Sequence, residues 1–307
     1  MALSSKDMLG MKELPAHEIE EILNNAAVMK QILMQDSKKT PHLLGKSIVA
    51  LFYENSTRTR VSFELAGKYM SAAFASVLAN TSSVAKGETL IDTGKTLDMM
   101  GADIIIIRHP CSGAPHLLAK HVRAGVINAG DGMNEHPTQA LLDMFTIREK
   151  LGALKGIKVA IVGDVLHSRV ARSNLWGLTK MGARVMLAGP ATLMPPGLSS
   201  FGAETTTDVR EAVKNADVVM GLRIQKERQQ SGFFPSLREY ARYFSLSPEV
   251  IKLAKPGALV MHPGPVNRGV EMPSSVADCE QSAIREQVTN GVAVRMALLY
   301  LMTRRGN

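Results

Sequence analysis

Residues 47–70 read "SIVALFYENSTRTRVSFELAGKYM". The first seven form an apolar, β-branched run that reads as a buried strand. From about residue 57 the spacing changes: Val61, Leu65 and Tyr69 recur every four residues, with Ala66 and Met70 beside them, and predict a helix over about 57–70. At the junction stand Ser56, Thr57, Arg58 and Thr59, with Arg60 next. Free N–H groups and the positive end of the helix dipole favour an anion at such a place. Hydroxyls and a planar guanidinium suit a tetrahedral phosphate. The bland reading is a helix cap beside surface arginines, but a cap needs one such residue, not four. No GxxxxGK[ST] occurs, so this is not the Walker phosphate loop.

Outward from this junction the same alternation repeats. Apolar runs at 47–53, 74–79, 103–108 and 125–130 read as buried strands, with helices expected at about 57–70, 88–100 and 114–123. Residues 17–34 place Ile19, Ile22, Leu23, Ala26, Met29 and Leu33 on one helical stripe. A second series has strands at 157–163, 184–189, 217–223 and 258–264. Uninterrupted apolar strands separated by helices predict parallel sheets covered on both faces. The fold class expected is α/β, with two parallel-sheet domains, 1–150 and 151–290, meeting near 135–155. A bridging helix from His136 opens with Pro137 in its first turn. The final helix, over 291–302, is expected to pack back on the first domain as part of 291–307.

In open parallel sheets ligands bind beyond the carboxyl ends of the strands. That places the polar clusters after Tyr53, Ile107, Gly130, Gly163, Gly221 and Met261 along one rim. "NTSSVAKGET" (80–89) offers Ser82, Ser83 and Lys86, which a solvated loop would also explain. "IIIIRHP" (104–110) brings Arg108 and His109 off a very apolar strand. "AGDGMNEHPTQALLD" (129–143) presents His136 as a helix cap, with Gln139 one turn on; two neutral polar groups there suit a carbonyl or amide. "VGDVLHSRVARS" (162–173) lacks GxGxxG, which argues against a dinucleotide cofactor, and sets Arg169 inside a helix that "HS" caps. "GLRIQKER" (221–228) supplies Arg223 and Gln225, then Lys226 and Arg228. In "MHPGPVNRGVE" (261–271) two prolines and two glycines make a turn that serves structure or binding equally well.

Composition narrows the class. Lys and Arg exceed Asp and Glu by 36 − 28 = +8, yet the cations are dispersed and aromatics make up 5%. A nucleic-acid surface is therefore not expected. No apolar stretch approaches the roughly 20 residues of a membrane span. The first residues, "MALSSKDMLGMKELP", lack the basic start and apolar core of an export signal. Cys111 and Cys279 lie far apart and fit a reducing cytoplasm. No His/Cys cluster has metal spacing and no GxSxG elbow occurs, so neither metal nor cofactor is expected. Cations, hydroxyls, one histidine and one glutamine suit a site that binds two anions and stabilises developing negative charge. The chemistry expected is group transfer without a covalent enzyme intermediate.

Taken in order, "STRTR", "KGET", "RHP", "AGDGMNEHPTQALLD", "VGD…SR", "LRIQKER" and "HPGPVNRG" resemble the carbamoyltransferase superfamily, its aspartate-using catalytic chains in particular. The ornithine-using branch shares STRTR but typically carries HPCQ, an SMG segment and an HCLP loop. This chain has HPTQ at 136–139, no SMG, and HPGP at 262–265. A dicarboxylate acceptor also needs cations, which Arg169, Arg223 and Lys86 supply. The resemblance implies transfer from carbamoyl phosphate to L-aspartate in pyrimidine synthesis, in a cleft between the domains. Ser56, Thr57, Arg58 and Thr59 are then expected to hold phosphate, and Arg108, Thr59 and His136 to polarise the carbamoyl oxygen. Gln139 with the Gly264 and Pro265 carbonyls would orient the carbamoyl NH₂, and Lys86, Arg169, Arg223 and Gln225 would bind aspartate. It further implies homotrimers in which Ser82 and Lys86 enter a neighbour's site. Ala85 stands where enterobacterial chains have a second lysine, and HPGPVNRG differs from their HPLPR. Attachment of regulatory chains, or of a dihydroorotase, is left open.

Overall fold

The computed structural model describes residues 3–78, 87–225 and 236–304. The chain divides into two compact units, one of residues 1–142 with 289–307 and the other of residues 143–288.

In the first unit, strands β1 (Ser47–Phe52), β2 (Ala73–Leu78), β3 (Ile104–His109) and β4 (Gly125–Asp131) form a parallel sheet ordered β2-β1-β3-β4. Helices α1 (Ala16–Leu33), α2 (Thr57–Tyr69), α3 (Leu90–Met99) and α4 (Ala114–Ala119) belong to it. The four isoleucines of β3, Ile104–Ile107, are at most 2% exposed. Each contributes about 1.5–3 kcal/mol by burial, which places this strand at the centre of the sheet. Around Ile105 and Ile107 pack Leu51, Leu118, Val122 and Val126. A bridge from Met8 to Ile127 adds the N-terminal segment alongside β4, with Met8 N donating to the Val126 carbonyl at 2.8 Å.

The second unit carries β5 (Lys158–Val162), β6 (Arg184–Ala188), β7 (Ala203–Thr206), β8 (Val218–Gly221) and β9 (Leu259–Met261), ordered β7-β6-β5-β8-β9 and again parallel. Its helices are α6 (Arg169–Lys180), α7 (Val209–Val213), α8 (Leu237–Phe244), α9 (Pro248–Ile251) and α10 (Ser274–Ala277). Two helices run across the division, α5 (Pro137–Leu151) and α11 (Ile284–Thr303). Ala160, Val162, Val219, Val260 and Leu246 form one buried cluster. Among the described residues no helix is long and apolar enough to cross a membrane.

The α/β class and the parallel sheets are as expected, and four details differ. β2 is a sheet edge with Ala73, Ala75 and Ser76 exposed, because it has one neighbour and not two. β7, sequence AETT, lies at the other sheet's edge and carries no apolar run to announce it. α2 begins at Thr57 but turns a different face inward: Thr59, Phe63, Ala66 and Gly67 are buried while Val61 is 39% exposed. Gly67 sits so close to the sheet that a Cβ would stand 2.8 Å from the Phe74 ring, so the helix docks on its small residues. α11 starts at Ile284, seven residues ahead of the apolar stretch that predicted it, because "IREQVTN" is helical without being apolar.

Candidate active site

In the first unit the tips of β1, β3 and β4 are neighbours at one sheet edge. Beyond β1, Ser56 is the N-cap of α2 in an extended conformation, and its hydroxyl makes no capping bond to the helix. The head of α2 is thus not closed by the cap hydroxyl, and the first turn of a helix is where an anion is favoured. Thr57 and Arg58 are exposed there, and Thr59 is buried.

At the tip of β3, Arg108 lies in register with Phe52, and its carbonyl accepts from Tyr53 N at 2.9 Å. Its guanidinium is held from two sides. Nη1 donates to the Ala129 carbonyl at 3.2 Å, and Nε lies 3.2 Å from Glu54 Oε2. Burial pushes the neighbouring His109 imidazole below its ordinary pKa. Its Nδ1 accepts from Cys111 N at 3.0 Å, and its ring lies 4.6 Å from that of Tyr53.

Beyond β4, His136 is 4% exposed and precedes Pro137 of α5; its carbonyl accepts from Gln139 N at 3.0 Å. Gln139, one turn in, is 8% exposed. Ser56 through Thr59, Arg108, His136 and Gln139 thus stand at the carboxyl ends of three adjacent strands.

In the second unit β5, β8 and β9 are likewise neighbours. Ser168 caps α6, its hydroxyl accepting from Ala171 N at 3.1 Å, as expected, and Arg169 is the first residue of that helix and buried. The turn before it is built on Asp164, which accepts from His167 N at 3.2 Å and lies 2.9 Å from His167 Nδ1. Asp164 also accepts, at 3.4 Å, from the backbone N–H of Gln225, in the segment after β8 that carries Arg223. Gly163 has φ +138°, and a Cβ there would lie 2.9 Å from the Leu222 carbonyl, so only glycine lets these two strand tips approach. After β9, Gly264 N donates to His262 Nδ1 at 2.9 Å, which orders the start of the turn carrying Gly264 and Pro265.

Ser82, Lys86, Lys226 and Arg228 lie outside the described residues. Four groups were missed by reading the sequence as a set of cations and hydroxyls. Glu54 lies against Arg108, while Asp131 orders the turn before His136, and Asp164 with His167 orders the turn before Arg169. Each acidic residue follows directly on an apolar strand or ends one, a signal that the strand-tip argument could have used for acids as well as for cations. Among the described residues no group of three or more His, Cys, Asp or Glu is placed to hold a metal ion.

Comparison with known proteins gives a consistent result. Residues 6–149 match the description "Aspartate/ornithine carbamoyltransferase, carbamoyl-P binding domain", and residues 155–302 match "Aspartate/ornithine carbamoyltransferase, Asp/Orn binding domain". The chain is 71% identical to the aspartate carbamoyltransferase catalytic subunit of Acetivibrio thermocellus, over 99% of this chain and 98% of that one. Aspartate transcarbamoylase from Trypanosoma cruzi, solved with carbamoyl aspartate and phosphate, has a TM-score of 0.88 at 30% identity, covering 97% of this chain and 96% of that one. Ornithine carbamoyltransferase from Pyrococcus furiosus has a TM-score of 0.87 at 32% identity, covering 98% of each chain.

Proposed function

The chain belongs to the aspartate/ornithine carbamoyltransferase family, and from that premise we infer how its residues move the carbamoyl group of carbamoyl phosphate onto the amino group of L-aspartate. The products are N-carbamoyl-L-aspartate and phosphate. Residues 1–150, with 291–307, serve carbamoyl phosphate, and residues 151–290 serve aspartate.

Carbamoyl phosphate carries a dianion that the head of α2 suits: Ser56, Thr57, Arg58 and Thr59 hold its phosphate oxygens with charge-assisted bonds. Arg108, Thr59 and His136 face the carbamoyl oxygen. Gln139 and the carbonyls of Gly264 and Pro265 accept from its NH₂ and fix its rotation. Arg169, Arg223, Gln225 and Lys86 take the two carboxylates of aspartate. The uncharged α-amine then attacks the carbamoyl carbon, forming a C–N bond and a tetrahedral oxyanion. Donors already aimed at that oxygen stabilise it without reorganisation. The C–O bond to phosphate breaks, and the departing phosphate takes the proton released by the amine. Enzyme groups bind, polarise and orient throughout; none becomes covalently attached.

The acceptor assignment rests on one observation: two arginines, Arg169 and Arg223, follow the neighbouring strands β5 and β8. A side chain ending in an amine would meet repulsion there, whereas a dicarboxylate is held. Since an ornithine-using enzyme shares the fold, an acceptor panel with carbamoyl phosphate decides the matter. L-aspartate is expected to exceed L-ornithine in kcat/KM by at least about 10³-fold. Equal rates with ornithine would overturn the assignment.

We further propose a cytoplasmic homotrimer, acting early in pyrimidine synthesis, in which Ser82 and Lys86 of one chain complete a neighbour's site. Mixed trimers of Lys86→Ala and Arg58→Ala chains are then expected to regain activity, because some sites contain neither substitution. Verified mixed trimers without activity would contradict sharing.

A further inference from the structure

Asp131 is 0% exposed and no step above uses it. A buried carboxylate is costly unless its oxygens are filled, and here they are filled entirely by donors. Oδ1 accepts from Asn128 Nδ2 at 2.8 Å and from Glu135 N at 3.1 Å. Oδ2 accepts from Gly113 N at 2.7 Å and from Asn134 Nδ2 at 3.0 Å. These donors come from separate places. Gly113 ends the turn that follows β3 and Arg108, whereas Asn134 and Glu135 form the turn that delivers His136.

The two turns also interlock through their backbones. Gly132 N donates to the His109 carbonyl at 2.9 Å, and a Cβ on Gly132 would lie 2.8 Å from the Pro110 carbonyl. Asn128, itself 0% exposed, extends the arrangement by donating to the Leu9 carbonyl at 2.8 Å. Glu135 accepts from Met11 N at 2.7 Å and Lys12 N at 3.2 Å, so the N-terminal segment braces the same turn.

We propose that Asp131 is a positioning residue for carbamoyl transfer: its carboxylate fixes the turn after Arg108 against the turn before His136, and so sets the spacing of the two groups that polarise the carbamoyl oxygen. This rests on the function proposed above. The head of α2, which holds phosphate, makes none of these bonds, so the effect falls on the chemical step and leaves phosphate binding alone.

Asparagine at 131 is the informative replacement. All four partners are donors, and whichever oxygen becomes NH₂ then faces two N–H groups. A displacement of about 1 Å costs about 100-fold in rate. The Asp131→Asn enzyme, assayed well below its melting temperature, is expected to lose about 100-fold in kcat. Inhibition by inorganic phosphate is expected to stay within about threefold of wild type, since that anion reads only the α2 site. Unchanged kcat would show that Asp131 serves stability alone, and a matching loss of phosphate affinity would show a general collapse of the site. Either result overturns the proposal. If the variant does not fold, Asn134→Ala decides. It removes one of the four bonds, and kcat is expected to fall about fivefold with phosphate inhibition unchanged; full activity would overturn the positioning role. Carbamoyl-aspartate formation by the wild type, measured first, separates failure of this inference from failure of the functional reading.

Discussion

Replacing Arg58 by alanine is expected to lower kcat/KM for carbamoyl phosphate by about 10³-fold, equivalent to about 4 kcal/mol of transition-state stabilisation. The size follows from what the guanidinium does. A charge-assisted bond to phosphate contributes about 1.5–3 kcal/mol. The charge on the leaving phosphate grows as the C–O bond breaks, so the same bond strengthens toward the transition state. The fold is expected to survive, because Arg58 is exposed in the first turn of α2 and alanine is a better helix former than arginine. Steady-state kinetics with a melting curve on the same preparation separate the two effects. A loss below about tenfold would remove phosphate from the head of α2.

The second large effect is expected at Arg223, and it falls on the other substrate. Arg223→Ala should raise KM for L-aspartate by about 100-fold while KM for carbamoyl phosphate stays within about twofold. Arg223 is a better choice than Arg169, which is 5% exposed at the start of α6, where loss of the side chain would leave a void. Arg223 is half-buried after β8 and its segment is tied to Asp164 through Gln225 N. Its removal therefore takes away a charge and leaves the backbone anchored. Equal rises for both substrates would contradict the division of labour between the units.

The sequence was most legible where burial writes a one-dimensional pattern. β3 is four isoleucines in a row, and α1 repeats Ile19, Ile22, Ala26 and Met29; both lie where the pattern puts them. Caps were legible for the same local reason, as at Ser168, whose hydroxyl answers an N–H three residues on. Edges were not. β7 shows only Ala203 to the core, and β2, though apolar, has a neighbour on one side only. The inward face of α2 was hidden because packing there is set by Gly67 meeting Phe74 and Ile48, a contact between elements that spacing within one helix does not encode.

The candidate cations and hydroxyls could be singled out in the sequence because they follow the apolar runs of strands. The acids could not be, since their partners are scattered along the chain. Asp131 gathers donors from residues 113, 128, 134 and 135, and Glu54 meets Arg108 across two strand tips. Such long-range pairings become visible only once the sheet order is known.

Arg58 and Arg223 are proposed to act on one pair of acidic substrates during a single transfer. This is tested most directly with a ligand that joins the two, a phosphonate linked through an amide to L-aspartate, titrated into wild type, Arg58→Ala and Arg223→Ala. Tight binding by the wild type is expected, with each substitution weakening it by about 100-fold or more. If either variant bound this ligand as tightly as the wild type, that arginine would not be touching the shared reacting pair, and a single transfer gripped by both arginines would be ruled out.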